Sequence, residues 1–565
     1  MSGHLTSANQ SKVCVVVTTR KVRSEVSMKK VRKQIGLFLF VLLFLVTGCG
    51  KTSNIVETTT WKEREVQRLD DNYRDYYEIF VYSFYDSDGD GIGDLQGVIE
   101  KLDYIEDMGF NGIWLMPIMP SPTYHKYDVT NYCAIDESYG TMDDFEELIT
   151  KCHEKDICVI IDMVMNHTSS THPWFEEACT YLENLEEGQE PKVEECPYIE
   201  YYEFTREKVN ETYYQVGDTD WYYEGSFWSE MPDLKLESEA VRTEFENISD
   251  FWLEKGIDGY RMDAVMHYKE SDTTFNNETL SWIYTYCKEK NPDFYMVSEV
   301  WANVSTITEY YGSLTPSFFN FDLQGAEGKL AKTARGNNKA EKFVQSMLKY
   351  QEDFAEQNPN AIDAPFASNH DTNRVSASVR SDENAIKMTA GLLLTMNGSP
   401  FVYYGEEIGM PSAGTKDENK RLPMLWSDED TTGMTKAPAN ADEDITYKFA
   451  GVEEQLLEED SILNYYKKAL RLRKENPEIA RGDIEIIEEL THENQAVITK
   501  SYEGSTIGIV YNTGKEAIEL SLAETKLSDM EICGCLCVTN EDASLENKKL
   551  VVPAQTIVIL YENDL

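Results

Sequence analysis

The chain has 565 residues and is 41% hydrophobic, which is enough for a large folded domain together with an accessory domain. Its formal net charge of −49 repels nucleic acids and anionic lipid headgroups, so neither is expected as a partner. An acidic surface of this kind suits a neutral ligand.

The N-terminal residues 1–49 are typical of an export signal. A basic cluster at 29–33 precedes an apolar run at 35–46, which is too short for a comfortable membrane span. The run ends in L-V-T-G-C at 45–49, which resembles a bacterial lipobox and predicts lipidation of Cys49. We therefore expect an exported protein, held only by its lipid at the outer face of the bacterial cell membrane. An ordinary signal peptide, or a short anchor helix, is the alternative.

The next residues, 50–76, are polar and predict a tether to the folded body. Over 77–480, short apolar runs such as 78–84 and 112–116 alternate with amphipathic helical stretches. This alternation predicts an α/β fold with a parallel sheet covered on both faces, and about eight units favour a closed (β/α)8 TIM barrel. The predicted helical stretches include Leu95–Met108, Met142–Lys155, Ser238–Lys255 and Asn384–Met396.

Two parts of the chain depart from the alternation. Residues 168–232 are acidic and rich in tyrosine, which indicates an inserted subdomain after strand three. Its aromatic residues, such as Trp221, Tyr223 and Phe227, could line a cleft or form a small core. Residues 481–565 show period-two patterns between turns, which predict a C-terminal all-β sandwich domain.

An acidic loop follows the first predicted strand. Its oxygen donors have EF-hand-like spacing, and Gly91 permits a sharp turn. Position twelve is Gly97 rather than Glu, so the loop is not a regulatory EF-hand. A structural Ca²⁺ site and a solvated acidic turn are the two interpretations. The donors would be Asp86, Asp88, Asp90 and Asp94, with the carbonyl of Ile92.

Four acidic residues stand where predicted strands end. Asp162, Asp263 and Glu299 each end an apolar strand, and Asp371 closely follows one. The carboxyl ends of barrel strands meet at one mouth, so these side chains should converge. Retaining glycoside hydrolysis needs a carboxylate nucleophile and a carboxylic acid separated by about 5–5.5 Å, and this set could supply both.

Four segments give these acids a recognisable setting. They are D-M-V-M-N-H at 162–167, G-Y-R-M-D-A-V-M-H at 259–267, S-E-V-W at 298–301 and S-N-H-D at 368–371. In this order they resemble the α-amylase family of glycoside hydrolases, and the match runs from about residue 77 to the C-terminus. The resemblance implies that Asp263 is the nucleophile, Glu299 the general acid/base and Asp371 the third carboxylate, which stabilises the transition state.

The resemblance also implies contacts to the substrate. Tyr127 would stack under the sugar at the cleavage site beside His125, and His167 and His370 would bind its hydroxyls. Arg261 would keep Asp263 ionised. The remaining expected contacts come from Asp128, Asn166, His267, Trp301 and Asn369. Members of the family carry a calcium loop after strand one, so the resemblance favours structural Ca²⁺ at 86–94. Lys235 and Met266 depart from the family pattern, and Met266 puts contacts to the leaving group in doubt.

Several activities fit this reading of the sequence. The Tyr124-His125 pair is amylase-like and favours cleavage of α-1,4 links in starch or maltodextrins. A neopullulanase, cyclodextrinase, α-glucosidase or 4-α-glucanotransferase would use the same covalent intermediate. A non-catalytic glycan-binding lipoprotein is a further alternative, although Arg261 and all three carboxylates are present.

The motif C-G-C-L-C at 533–537 should place three thiols on one face of a strand. No histidine or fourth ligand is nearby in the sequence, so buried thiols are favoured over a metal site.

Overall fold

A computed structural model describes residues 64–69, 71–186, 188–539 and 541–562. The predicted signal segment, with Cys49, lies outside these residues. No helix in the described ranges is long and apolar enough to cross a membrane.

The strands of the described chain are short in the barrel and longer near the C-terminus. In order they are β1 (Tyr76–Ile79), β2 (Gly112–Leu115), β3 (Cys158–Met163), β4 (Phe204–Thr205), β5 (Tyr213–Gln215), β6 (Tyr222–Glu224), β7 (Gly259–Met262), β8 (Tyr295–Ser298), β9 (Ser317–Phe318), β10 (Phe401–Tyr403), β11 (Asp483–Ile486), β12 (Gln495–Tyr502), β13 (Ser505–Asn512), β14 (Ile518–Ser521), β15 (Met530–Cys537), β16 (Ser544–Glu546), β17 (Lys549–Val552) and β18 (Thr556–Glu562).

The helices pack mostly around the barrel. They are α1 (Leu95–Glu100), α2 (Leu102–Met108), α3 (Met142–Glu154), α4 (Pro173–Glu183), α5 (Glu239–Glu254), α6 (Thr273–Lys290), α7 (Val304–Tyr310), α8 (Lys329–Ala334), α9 (Ala340–Gln357), α10 (Val375–Ser378), α11 (Glu383–Leu394), α12 (Val452–Leu457), α13 (Ile462–Glu475) and α14 (Glu478–Arg481).

Seven strands form a parallel sheet in the order β10-β1-β2-β3-β7-β8-β9. Single parallel bridges from Phe319 to Ala364 and from Phe366 to Phe401 join its two edges. The eighth barrel position is therefore an irregular segment at 364–366 rather than a regular strand. The sheet closes, and the predicted (β/α)8 barrel is confirmed.

The predicted helices begin and end close to their expected positions, with one exception. The stretch Leu95–Met108 is two helices, because Lys101 has φ −101° and ψ 4° and interrupts the helical backbone. The α3 helix starts with a capping box between Thr141 and Asp144, which satisfies free N–H groups of its first turn.

An inserted segment follows β3, as the sequence predicted. It contains α4 and a small antiparallel sheet in the order β4-β6-β5. An antiparallel bridge between His167 and Asp233 ties the start of the inserted segment to its end. The inserted residues therefore leave and rejoin the barrel beside the carboxyl end of β3.

The C-terminal strands form two antiparallel sheets, β11-β12-β13-β18-β15 and β14-β17-β16, as expected for an all-β domain. One face of the larger sheet belongs to the same apolar core as the barrel, and its other face packs in a second cluster. Lys500 is fully buried at this junction and donates to the carbonyls of Thr395 (2.9 Å) and Ile479 (2.7 Å). Burial lowers the pKa of Lys500 well below its usual value.

Two expectations need correction here. A bulge between Ile532 and Gly534 shifts the register of β15, so Cys533 packs toward the barrel while Cys535 packs in the second cluster. The three thiols therefore do not share one face. The end of the predicted tether, 50–76, is also packed rather than free, because Arg64 binds Glu478 at 2.9 Å and lies over the ring of Tyr561.

Candidate active site

A cleft of about 680 Å³ opens beside the carboxyl ends of the barrel strands. Eight of the predicted residues line it: Asp263, Glu299, Asp371, His125, Tyr127, His167, His267 and Trp301. Phe227 from the inserted segment lines it too and is 47% exposed, whereas Trp221 and Tyr223 are buried. The aromatic residues of the insertion thus serve both the cleft and a core.

Arg261 lies directly beneath the cleft, on β7, and is fully buried. Its Nη1 donates to Asp162 Oδ1 at 2.5 Å and to Asp263 Oδ1 at 2.7 Å. Its Nη2 donates to Glu299 Oε2 at 2.7 Å. A single guanidinium therefore holds carboxylates from three neighbouring strands together, and its charge compensates part of theirs.

The local backbone explains how Asp263 and Glu299 come to face each other. Each follows the last residue of its strand, where the chain turns over the barrel mouth. Ala264 adopts a left-handed conformation, with φ 50°, and its N–H points to Glu299 Oε2 at 3.3 Å. A non-glycine residue in this conformation is uncommon and is held by its surroundings.

The carboxyl group of Glu299 can hold its proton close to neutral pH. Burial raises its pKa to about 7, the carboxylates of Asp263 and Asp371 add to the rise, and Arg261 opposes it. Burial likewise raises the pKa of Asp162 to about 6, although Trp114 Nε1 donates to its Oδ2 at 3.1 Å. The cluster therefore retains protons near neutral pH.

Asp371 is held in the opposite state. His370 Nε2 lies 3.0 Å from its Oδ2, and Arg421 Nη2 donates to its Oδ1 at 2.7 Å. Burial alone would raise the pKa of Asp371, but His370 and Arg421 bring it far below its usual value. Its side chain is 28% exposed, so an ionised carboxylate faces the cleft.

Three further cleft residues are aromatic or neutral. The Tyr127 hydroxyl lies 2.7 Å from His370 Nε2 and 3.2 Å from Asp162 Oδ2. Burial lowers the pKa of both His125 and His167 to about 4, so both imidazoles are neutral at ordinary pH. They can therefore accept or donate one hydrogen bond each to an uncharged ligand.

Five predicted substrate contacts do not line the cleft: Asp128, Asn166, Arg261, Asn369 and His370. Asp128 Oδ1 accepts from Ser121 at 2.6 Å and from Thr123, within its own loop. Asn166 and Asn369 also make hydrogen bonds within the protein. Asn166 donates to Asp233, and Asn369 accepts from the N–H of Asp371. These side chains shape the loops that carry the cleft residues.

His370 is 1% exposed and lies behind Asp371 and Tyr127, and Arg261 lies beneath the carboxylates. The sequence led us to expect His370 at the sugar and Arg261 beside Asp263. Motif order shows which strand carries each residue but not how deep its side chain lies.

Two residues of the site were missed from the sequence. Arg421, which binds Asp371 and also Tyr124 (3.1 Å), comes from the irregular stretch after β10, where no periodicity marks it. Glu78 lies on β1 and accepts a hydrogen bond from His370 at 2.6 Å. An acidic residue inside an apolar barrel strand was a signal that could have found it.

The acidic loop after β1 brings three carboxylates together. Ligand oxygens of Asp86, Asp88 and Asp94 lie within 4.8 Å of one another. Such an all-oxygen set is the kind that Ca²⁺ prefers, so these residues fit the ion. Asp90 is not in this group, and its carboxylate accepts from the N–H of Ile92. The structure thus brings together three of the four predicted carboxylates.

Comparisons with known proteins identify relatives of this chain. Residues 78–482 match the family model described as "Alpha amylase, catalytic domain". The chain is 36% identical over 491 residues to "Alpha-amylase 3" of Dictyoglomus thermophilum, which covers 86% of this chain and 92% of that protein. It is 31% identical over 476 residues to a glucan 1,6-alpha-glucosidase of Streptococcus pneumoniae, covering 73% and 86%. The solved structure of Eubacterium rectale Amy13B is similar, with a TM-score of 0.85, 40% identity and coverage of 89% and 98%.

Proposed function

The chain belongs to the α-amylase family of glycoside hydrolases, and from that premise we propose that it is a retaining enzyme cleaving α-1,4-glucosidic links in starch or maltodextrins. The observation that carries the proposal is the pairing of Asp263 and Glu299 on one guanidinium at the wall of an open cleft. Both groups then reach the same glycosidic bond, as a retaining reaction requires.

In the first step, an Asp263 oxygen attacks the anomeric carbon while Glu299 gives its proton to the leaving oxygen. The glycosidic bond breaks, and a glycosyl ester forms on Asp263. In the second step, Glu299 takes a proton from water, the water oxygen attacks the anomeric carbon, and the ester bond to Asp263 breaks. The ionised Asp371 stabilises the positive charge that develops on the sugar ring in both steps.

The residues of the cleft support the proposal that the substrate is an uncharged polymer. Phe227 and Trp301 expose about half of their surfaces, and aromatic faces suit stacking on sugar rings. The neutral His125 and His167 can hydrogen-bond hydroxyls without attracting an ion. The relatives include both an α-amylase and a 1,6-glucosidase, so the preferred linkage is part of the proposal.

We also propose that Asp86, Asp88 and Asp94 hold a structural Ca²⁺ ion. The ion would offset two of the three negative charges and stabilise the loop that leads into α1, whose first turn Asp94 caps through the N–H of Gly97. It would take no part in bond cleavage.

Finally, we propose that the protein is exported and lipidated at Cys49. The lipobox-like residues 45–49, after a basic cluster and a short apolar run, support this proposal. An acidic protein would then touch the membrane through its lipid alone.

Substrate and product analysis tests the proposed activity. On soluble starch, the wild-type protein should release mixed maltooligosaccharides, initially as α-anomers, with a rapid loss of iodine staining. Asp263→Asn should lower kcat by roughly 10⁴-fold because the nucleophile is lost. Panose from pullulan, or glucose alone, would favour a neopullulanase or a glucosidase. Disproportionation without new reducing ends would indicate a transferase, and no reaction on any α-glucan would contradict the hydrolase.

The pH dependence should report on Glu299. The acid must be protonated, and its pKa is raised to about 7, so kcat/KM should be retained below that pH and fall as the pH rises through about 7. The measurement is kcat/KM on a maltooligosaccharide between about pH 5 and pH 9. An α-glucosyl fluoride, whose leaving group needs no proton, provides the control and should lose the alkaline limb. The same limb on both substrates would rule out Glu299 as its cause.

Removal of calcium should lower thermal stability. If the ion binds only the folded protein, Ca²⁺ at 100 times its Kd adds about 2.7 kcal/mol to the free energy of unfolding, and EDTA removes it. The measurement is the Tm with Ca²⁺ and with EDTA. The double variant Asp86→Asn, Asp88→Asn should show no Ca²⁺-dependent rise in Tm. An equal Tm for the wild type in both conditions would contradict the site.

Lipidation can be followed in a bacterial host that expresses the full chain. A clickable palmitate analogue should label the wild-type protein, and Cys49→Ser should abolish both the label and recovery in the membrane fraction. An unlabelled wild-type protein in the medium would instead support an ordinary signal peptide.

A further inference from the structure

Glu78 is the acidic residue of β1, and it is 1% exposed in a strand that is otherwise apolar or aromatic. Its Oε1 accepts two hydrogen bonds, both from His370: one from Nδ1 at 2.6 Å and one from the backbone N–H at 3.3 Å. The two residues are 292 positions apart in sequence. A buried carboxylate that contacts a single residue twice fixes both the position and the ring orientation of that residue.

The second ring nitrogen of His370 also faces oxygen. Nε2 lies 3.0 Å from Asp371 Oδ2 and 2.7 Å from the Tyr127 hydroxyl. A neutral imidazole carries one N–H and could donate to one carboxylate only. Because carboxylates stand at both nitrogens, an imidazolium can donate to Glu78 on one side and to Asp371 on the other.

The charges around His370 agree with this state. Besides Glu78 and Asp371, the titratable groups facing it are Asp162, Glu299 and Tyr127, with Arg261 and Arg421. The two carboxylates in contact with it, helped by their hydrogen bonds, overcome burial and raise the pKa of His370 to about 9. Without Glu78, Asp371 would be the only carboxylate among the described residues in contact with the ring.

We propose that Glu78 is a positioning residue of this enzyme, which keeps His370 doubly protonated and thereby aims the ionised Asp371 into the cleft. Glu78 does not touch the substrate, since His370 and Asp371 stand between it and the cleft. The kinetic part of this inference rests on the proposed function, whereas the protonation of His370 does not.

The kinetic test compares Glu78→Gln with a matched buried acid. Glu407→Gln is the control, because Glu407 is fully buried and accepts hydrogen bonds from Tyr77 and Tyr104, away from the cleft. Glu78→Gln should lower kcat about 10- to 100-fold with KM changed less than about threefold, since Asp371 is misplaced for the transition state. With the α-glucosyl fluoride, which needs no proton from Glu299, kcat/KM should fall at a lower pH in Glu78→Gln than in the wild type, because His370 loses its proton earlier. Glu407→Gln should keep the wild-type profile, and Glu78→Asp should recover that profile in part.

A second measurement needs no activity. The chain has eight histidines, so ¹⁵N-histidine labelling, with His370→Gln for assignment, gives a resolvable set of ring signals. His370 should keep both protons up to about pH 9 in the wild type and titrate at least about one pH unit lower in Glu78→Gln.

An unshifted titration of His370 in Glu78→Gln would overturn the proposal, whatever the enzyme hydrolyses. A shifted titration with an unchanged kcat and pH profile would overturn the positioning role alone. If the wild-type protein cleaves no α-glucan but the titration shifts, the proposed function fails and the coupling of Glu78 to His370 stands.

Discussion

The buried guanidinium of Arg261 holds Asp162, Asp263 and Glu299 within hydrogen-bonding distance of one cation, and the rest of the cleft is built on that contact. Each carboxylate comes from a different strand, so the parallel register of β3, β7 and β8 is needed to deliver them. Several carboxylates confined around one arginine cannot all ionise easily, because burial penalises their charge. The excess is relieved by protonation, and this gives Glu299 a proton to donate.

At Asp371, the neighbouring charges lower the pKa of a carboxyl group instead of leaving it raised. Asp371 meets one cation at each oxygen, His370 and Arg421, and stays ionised despite its burial. Two carboxylates of one chemical type thus take different roles because their neighbours differ. The barrel supplies the positions, and the burial and charged neighbours of each acid set its state.

The sequence predicted the parts of this arrangement that follow from strand order. Strand-end acids in a repeated β/α pattern must meet at the barrel mouth, so the sequence alone placed Asp263 and Glu299 together. Arg421 could not be found in this way, because it lies in an irregular stretch without periodicity. Depth also escaped prediction: His370 belongs to a recognisable segment, yet burial sets it behind the cleft. The bulge in β15, which separates Cys533 from Cys535, leaves no mark on the alternation of residue types.

The buried amine of Lys500 has a consequence for the unfolding of the protein. It joins the C-terminal sheet to carbonyls of the barrel without a carboxylate partner, inside an apolar core that both share. Separating the sheet from the barrel would expose that core. It would also break the hydrogen bonds between the Lys500 amine and the two carbonyls. The sheet is therefore not an appended module that could be trimmed or exchanged. We therefore expect it to form one cooperative unit with the barrel, so that the two melt in a single calorimetric transition.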